Sequence, residues 1–409
     1  HSALRSGVVP EGTMDEDGLQ RLEAALDDAI AAGAVGMSSS RGSNHTDANG
    51  LPMPSRLASD EELRRLVARA PGRVWQINIA SKGDRSEAGI AKAIAELDSY
   101  ATLARETGTR FTWTPLVVGP GDRVAYRRLL DFSTENADVI IPQISAQSIS
   151  SAISFDGPSF ASMIEGWAVA FAGYGDLPKA DKLARLVDPE FRALLRASRE
   201  DPSKITAPNF SRWRLAASPT APELFGLTLT EIGERLGKSP SDAMLDLAVA
   251  DDLMTVIEAP LSNLAEDDVA VRELVAAPTT LIGLGDAGAH VKSITNYTYP
   301  SYVLGDLANK RGWITVSDAI RRMTSVPAET LGLKDRGTVR VGAHADLCVI
   351  DLDRLGAKPA ALVADLPGGA SRLHADATGY RAVIVNGVPV VVDDQLTTSR
   401  TGQLVRAQS

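Results

Sequence analysis

The sequence predicts an α/β fold of parallel βαβ units followed by a small β-rich domain. Three observations carry that prediction. Short apolar runs alternate with helical stripes between residues 16 and 144, and such alternation marks parallel strands joined by helical crossovers. A later run, Thr279-Thr280-Leu281-Ile282-Gly283-Leu284-Gly285-Asp286, reads as a buried strand ending in glycines and one carboxylate. From Gly337 onward short Val/Ile strands take over, with Asn386-Gly387 between two of them; Asn-Gly in that setting signals a hairpin.

Taken in order, residues 1–9 read as the tail of a strand and its loop. Leu19, Leu22, Leu26, Ala29 and Ile30 share one helical face, and Gly33 stops the helix. Residues 34–39 form a short strand that runs into Ser40, Arg41 and a polar loop over 42–50. Ser59-Asp60-Glu61-Glu62 carries a helix-start signal. Strands follow at 74–79, 110–118 and 139–144, and the stripe Ile90, Ile94, Leu97, Ala101, Ala104 supplies a helix closed by Gly108. Residues 151–270 break the rhythm and read as a helix-rich insertion, with Ser239-Pro240-Ser241-Asp242 heading one helix. Beyond the strand at 279–285, Ser317 to Thr324 is an amphipathic helix. Strands are expected at 345–351, 380–386 and 388–392.

Composition narrows the function. The chain has 409 residues, 44% of them hydrophobic and 23% charged, with a net charge of −10. An acidic balance argues against nucleic acid as a partner, and no basic run suggests a membrane surface. No apolar stretch approaches the length of a membrane span. The single cysteine, Cys348, lies in an apolar strand pattern, where core placement is the expectation. The chain begins at His1 within what reads as a continuing fold, so an N-terminal part is expected upstream; the location is read as cytoplasmic.

Six motifs stand out in the C-terminal third. They are residues 283–290 (Gly-Leu-Gly-Asp-Ala-Gly-Ala-His), 322–328 (Arg-Met-Thr-Ser-Val-Pro-Ala), 333–339 (Leu-Lys-Asp-Arg-Gly-Thr-Val), 341–347 (Val-Gly-Ala-His-Ala-Asp-Leu), 365–370 (Asp-Leu-Pro-Gly-Gly-Ala) and 385–388 (Val-Asn-Gly-Val). In this order they resemble the amidohydrolase superfamily, and within it the D-aminoacylase (N-acyl-D-amino-acid deacylase) branch. The resemblance is strong over 279–406 and collinear over 1–150, where residues 33–38 (Gly-Ala-Val-Gly-Met-Ser) match the branch's strand before its substrate loop.

The resemblance implies a partial TIM (β/α)8 barrel of the metal-dependent hydrolase type, with a small C-terminal β-sandwich. On this reading the barrel spans 1–336, with the insertion at about 151–270, and the sandwich spans 337–409. It implies an enzyme that hydrolyses a non-peptide C–N bond of a small acylated amine or amino acid, with a divalent metal, usually zinc. Asp286 matches the carboxylate that touches the metal and moves the proton. The branch's first-strand His-x-His is absent here and is expected upstream of His1. The two middle-strand histidine positions fall at Asn78 and Pro115, and no histidine lies between His45 and His290. Asn ligates zinc poorly and Pro not at all.

The other candidates each have a plain alternative. His290 matches a motif position and is either a substrate contact or a structural histidine. His45 sits in the polar loop, as a substrate group over the barrel mouth or in a solvated turn. Arg41 is offered to a substrate carboxylate. Residues 365–369 read as a structural turn, because no strand–glycine loop–helix order surrounds them. The rivals to the enzyme are a reduced relative that binds a small molecule without hydrolysing it, and a structural or interaction protein.

Overall fold

The computed structural model describes residues 1–6, 14–42, 45, 51–81, 84–156, 161, 164, 166–167, 169–200, 207–263, 267–288, 290–291, 294–358, 360–369 and 372–406. The first residues form a short helix, α1 (Ser2–Ser6), where a strand tail was expected. Next come α2 (Glu16–Ala31) and strand β1 (Gly36–Ser40). Then follow α3 (Asp60–Ala68), β2 (Val74–Asn78), α4 (Glu87–Thr107) and β3 (Arg110–Leu116). The series ends with α5 (Ala125–Glu135) and β4 (Ile140–Ile144). The helix starts are capped as their sequences require: Ser59 accepts the amide of Glu62, and Ser86 that of Gly89. Gly108 ends α4 in the left-handed conformation at φ +68°.

Strands β1 to β4 lie side by side and parallel, and a fifth strand, formed much later in the chain, joins β4. Alternation along each strand divides two faces. Trp75, Ile77, Phe111, Trp113 and Ile140 are buried against Leu22 and Leu26 of α2, Leu66 and Val67 of α3, and Leu97 and Ala101 of α4. The other face carries Ser38, Gln76 and Thr112, then Ser40, Asn78 and Thr114. The crossover helices thus cover the first face, as on the outside of a (β/α) barrel.

The stretch read as helix-rich also holds a three-stranded antiparallel sheet. Strand β5 (Ile149–Ser154) and β6 (Arg214–Ala217) both pair with β7 (Val256–Ser262). Around it lie α6 (Lys179–Val187), α7 (Pro189–Ala197), α8 (Leu229–Leu236) and α9 (Pro240–Ala250). They share a second core built on Trp167, Phe171, Phe210, Trp213 and Ile257. Helix α10 (Asp268–Ala276) then leads to β8 (Leu281–Ile282), the late strand beside β4. Helices α11 (Tyr299–Tyr302), α12 (Val316–Met323) and α13 (Ser325–Thr330) follow, with a π-helical stretch at Val303–Lys310.

The C-terminal part is β-rich as expected. Strands β9 (Leu347–Ile350), β10 (Gly356–Ala357), β11 (Ala361–Val363), β12 (Arg372–His374) and β13 (Ala377–Thr378) precede β14 (Tyr380–Val385), β15 (Val388–Val392) and β16 (Gln395–Leu396). They make one antiparallel sheet ordered β16-β15-β14-β9 and two short ribbons, β10 with β13 and β11 with β12. Asn386 and Gly387 turn the β14–β15 hairpin at φ +50° and +80°, the two positive values a type I′ turn demands. Cys348 is exposed on β9, which corrects its expected core position: its neighbour Val349, on the other face of the strand, is exposed too, so neither face of the sheet is buried at this point.

Candidate active site

A cavity of about 630 Å³ opens at the C-terminal ends of the parallel strands. Its wall is Ser38, Ser39 and Ser40 from β1, Gln76 and Asn78 from β2, Thr114 from β3, Gln143 from β4, and Gly283 to Asp286 beyond β8, with His1, Ser2, Ala3 and His45 at the rim. The strands bring these residues together because they are parallel, so all their tips point one way. Neighbouring strands cross-link the wall. Gln76 Nε2 donates to Thr114 Oγ1 at 3.0 Å, and Gln143 Nε2 donates to Thr112 Oγ1 at 3.0 Å. Asn78 Oδ1 is buried, and no donor among the described residues meets it.

At the β1 edge a buried charge network sets the rim. Glu62 Oε1 accepts from Arg5 Nε at 3.0 Å and stands 2.8 Å from His1 Nε2. A carboxylate accepts, so His1 Nε2 donates to Glu62, while Nδ1 stands 2.9 Å from the Ser39 hydroxyl. The backbone nitrogen of His1 also donates to Ser38 O at 2.8 Å. On the opposite side Arg322, fully buried, donates to Val275 O and to the carbonyl and hydroxyl of Thr280. Burial lowers its guanidinium pKa to about 10. These bonds tie α12 to the end of α10 and to the residue before β8.

Comparison with known proteins decides the family. Residues 207–391 match the Amidohydrolase family model. That stretch belongs to the amidohydrolase family. The chain is 29% identical over 188 residues to a D-aminoacylase of Alcaligenes xylosoxydans xylosoxydans, covering 45% of this chain and 34% of the relative. It is 29% identical over 197 residues to that organism's N-acyl-D-glutamate deacylase, covering 47% and 36%. These alignments span about a third of the curated relatives' length. A crystal structure of D-aminoacylase superposes with a TM-score of 0.57 at 22% identity, over 98% of this chain and 69% of that one. An N-acyl-D-glutamate deacylase of Bordetella bronchiseptica, complexed with zinc and a phosphonate inhibitor, gives 0.58 at 20%, over 100% and 70%. These likenesses show the fold: a TIM-barrel architecture, here with five parallel strands among the described residues.

Within the chain the expected site residues separate. Asp286 lies on the cavity, half-buried, one turn past β8. His45 lies there too, its Nδ1 2.6 Å from Ser40 Oγ; the rest of its loop, 43–44 and 46–50, falls outside the described residues. Arg41 does not line the cavity. Its side chain turns to the start of α3, where it binds Asp60 Oδ1 at 2.7 Å and Ala58 O at 3.3 Å. His290 is exposed and lies off the cavity wall. Its backbone N–H donates to Asp286 O at 3.0 Å, a bond that holds the turn. Neither Arg41 nor His290, both expected to contact substrate, is among the residues that line the cavity. Thr114, and not its neighbour Pro115, faces the cavity.

The wall residues not singled out from sequence were Gln76, Thr114 and Gln143. A signal was present: Gln76 with Asn78, and Thr112 with Thr114, put a polar residue at every second place of otherwise apolar strands. The metal fit fails on the donor set. Among the described residues no three of His, Cys, Asp and Glu stand close enough to hold an ion. Asp286 therefore lacks, among those residues, the companions that a zinc site needs, and the strand tips offer amides and hydroxyls instead.

Proposed function

We propose that the protein hydrolyses a non-peptide C–N bond in a small acylated amine or amino acid. The observation that carries this reading is Asp286, a carboxylate at the tip of the last parallel strand, facing a cavity whose other strand tips are uncharged. On this reading Asp286 takes the proton of an attacking water as the C–O bond forms. It returns a proton to the nitrogen as the C–N bond breaks, leaving an acid and an amine. The related names, D-aminoacylase and N-acyl-D-glutamate deacylase, support the same bond and substrate class. The zinc named with one related structure belongs to that protein, and the residues described here give it no seat.

The test is release of free amine from a panel of N-acyl D- and L-amino acids and simple N-acylamines. Turnover of at least one acylated amine is expected. A folded protein that turns over none of them, with or without added zinc, contradicts the reading.

A further inference from the structure

We propose that a second cavity, walled by the β6–β7 sheet, the π-helical stretch and the β10 segment, binds a free amino dicarboxylate. It encloses about 490 Å³ and shares no lining residue with the strand-tip cavity. That volume lies within the range of small-ligand sites. Three distant parts of the chain build it. Arg214 and Glu258 are direct partners across β6 and β7, so their side chains leave the same face of the sheet. Lys310 ends the π-helical stretch, a rare form that frequently marks functional sites. Gly305 lets that stretch press on the chain before β10, since a Cβ there would stand 2.2 Å from Leu355 O. Residues 355–358 thereby close the cavity.

The charges select the ligand. Arg214, Lys310 and Lys358 line the cavity together with Glu258 and Asp306. Asp306 already has a counter-ion, Arg311 Nε at 2.8 Å, and Lys358 stands 3.7 Å from Asp376. Among the described residues, Arg214, Lys310 and Glu258 join no ion pair. Arg214 gives one N–H to Gly226 O at 2.8 Å, which leaves the rest of its fork to a ligand. All three side chains belong to exposed residues on the cavity wall, so a bound molecule can reach them. Two unpaired cations and one unpaired carboxylate match the reverse pattern, two carboxylates and one ammonium. Arg214 suits one carboxylate through its fork, and Lys310 the other as a point charge. Glu258 receives the ammonium. Phe225, 57% exposed and also on the wall, offers apolar surface to the methylene carbons between them. A dicarboxylate without the ammonium leaves Glu258 facing like charge. An N-acylated amino acid lacks the ammonium too, so this cavity selects against the substrate class of the hydrolytic reading and does not depend on that reading.

The experiment is a ligand-observed NMR titration of the full chain at low salt with D-glutamate, L-glutamate and glutarate. At least one glutamate enantiomer is expected to bind with a dissociation constant on the order of 1 mM, the scale of a few exposed charge contacts. It is expected to bind about tenfold more tightly than glutarate, the scale of one hydrogen bond between charged groups. Glu258→Gln should erase that preference, and Lys310→Gln should weaken both ligands by about tenfold. Neither side chain is in an ion pair, so both variants should melt with the wild type. Absence of glutamate binding at tens of millimolar overturns the proposal, and so does equal binding of glutamate and glutarate. Glutamate binding left unchanged by both substitutions also overturns it, because the ligand then sits elsewhere.

Discussion

Glu62 sits in the first turn of α3 with its carboxylate almost wholly buried against Arg5 and His1. Removing one partner of such a pair strands the other charge away from water. Glu62→Gln is therefore expected to destabilise the protein by about 3–5 kcal/mol, read as a lower midpoint in urea with an unchanged slope. A loss below about 1 kcal/mol, the scale of a surface ion pair, would show that Arg5 finds solvent or another anion. This network is not legible in the sequence, because His1 and Glu62 meet only when α1 and α3 pack at the β1 edge. Arg41 misleads for a related reason. Its partner Asp60 lies 19 residues on, so the side chain reads as free. Asp286 is legible because glycines and an apolar run flank it, a local pattern that needs no distant partner.

Helices α5 and α10 show how elements far apart in the chain place the site. Tyr126 of α5 donates to Glu273 Oε2 of α10 at 2.7 Å, and Arg127 binds the same carboxylate. These helices precede β4 and β8, so the clamp helps seat a two-residue strand beside its neighbour. Burial, and then the Glu273 carboxylate, push the Tyr126 phenol up to about 12. The folded state thus keeps this proton more tightly than the unfolded chain, whose tyrosine titrates near about 10. The contribution is complete below about pH 10 and is lost as pH rises toward about 12. In melts run from about pH 8 to about pH 11, stability above about pH 10 should fall more shallowly for Tyr126→Phe than for the wild type; parallel curves would contradict the clamp. At this scale the parallel strands and the Asn386-Gly387 hairpin are readable from periodicity and turn chemistry. The sheet of β5, β6 and β7 is not. Its segments are short, carry serine or alanine at many positions, and pair Ile149 with Ser262, a distance no local pattern reports.

Across the whole molecule, one helix-covered sheet places its strand tips around a cavity, and the β-rich C-terminal part follows. No helix among the described residues is long and apolar enough to cross a membrane. The uncharged strand tips set an expectation for the chain. After dialysis, metal analysis should find well under one zinc per chain, and added zinc should leave the melting temperature unmoved, because an ion held by one carboxylate contributes little to folding. About one tightly held zinc per chain would mean that the chain builds a metal site from a donor set other than the one seen here. The architecture is legible from alternating elements, and the motif order points to its family. The chemistry of the wall is less so, since only the register reveals which polar side chains share a row.

Asp286 as the group that moves the proton in C–N bond cleavage is tested most directly by comparing wild type with Asp286→Asn. Amide and carboxylate have nearly the same shape, but the amide cannot act as a base. The readout is free amine released from the best acylated substrate, alongside a thermal melt of each protein. The expected result is a loss of roughly 10²-fold or more in kcat, the scale of general acid–base catalysis, with the melt unchanged. Wild-type turnover by a folded Asp286→Asn protein would contradict it.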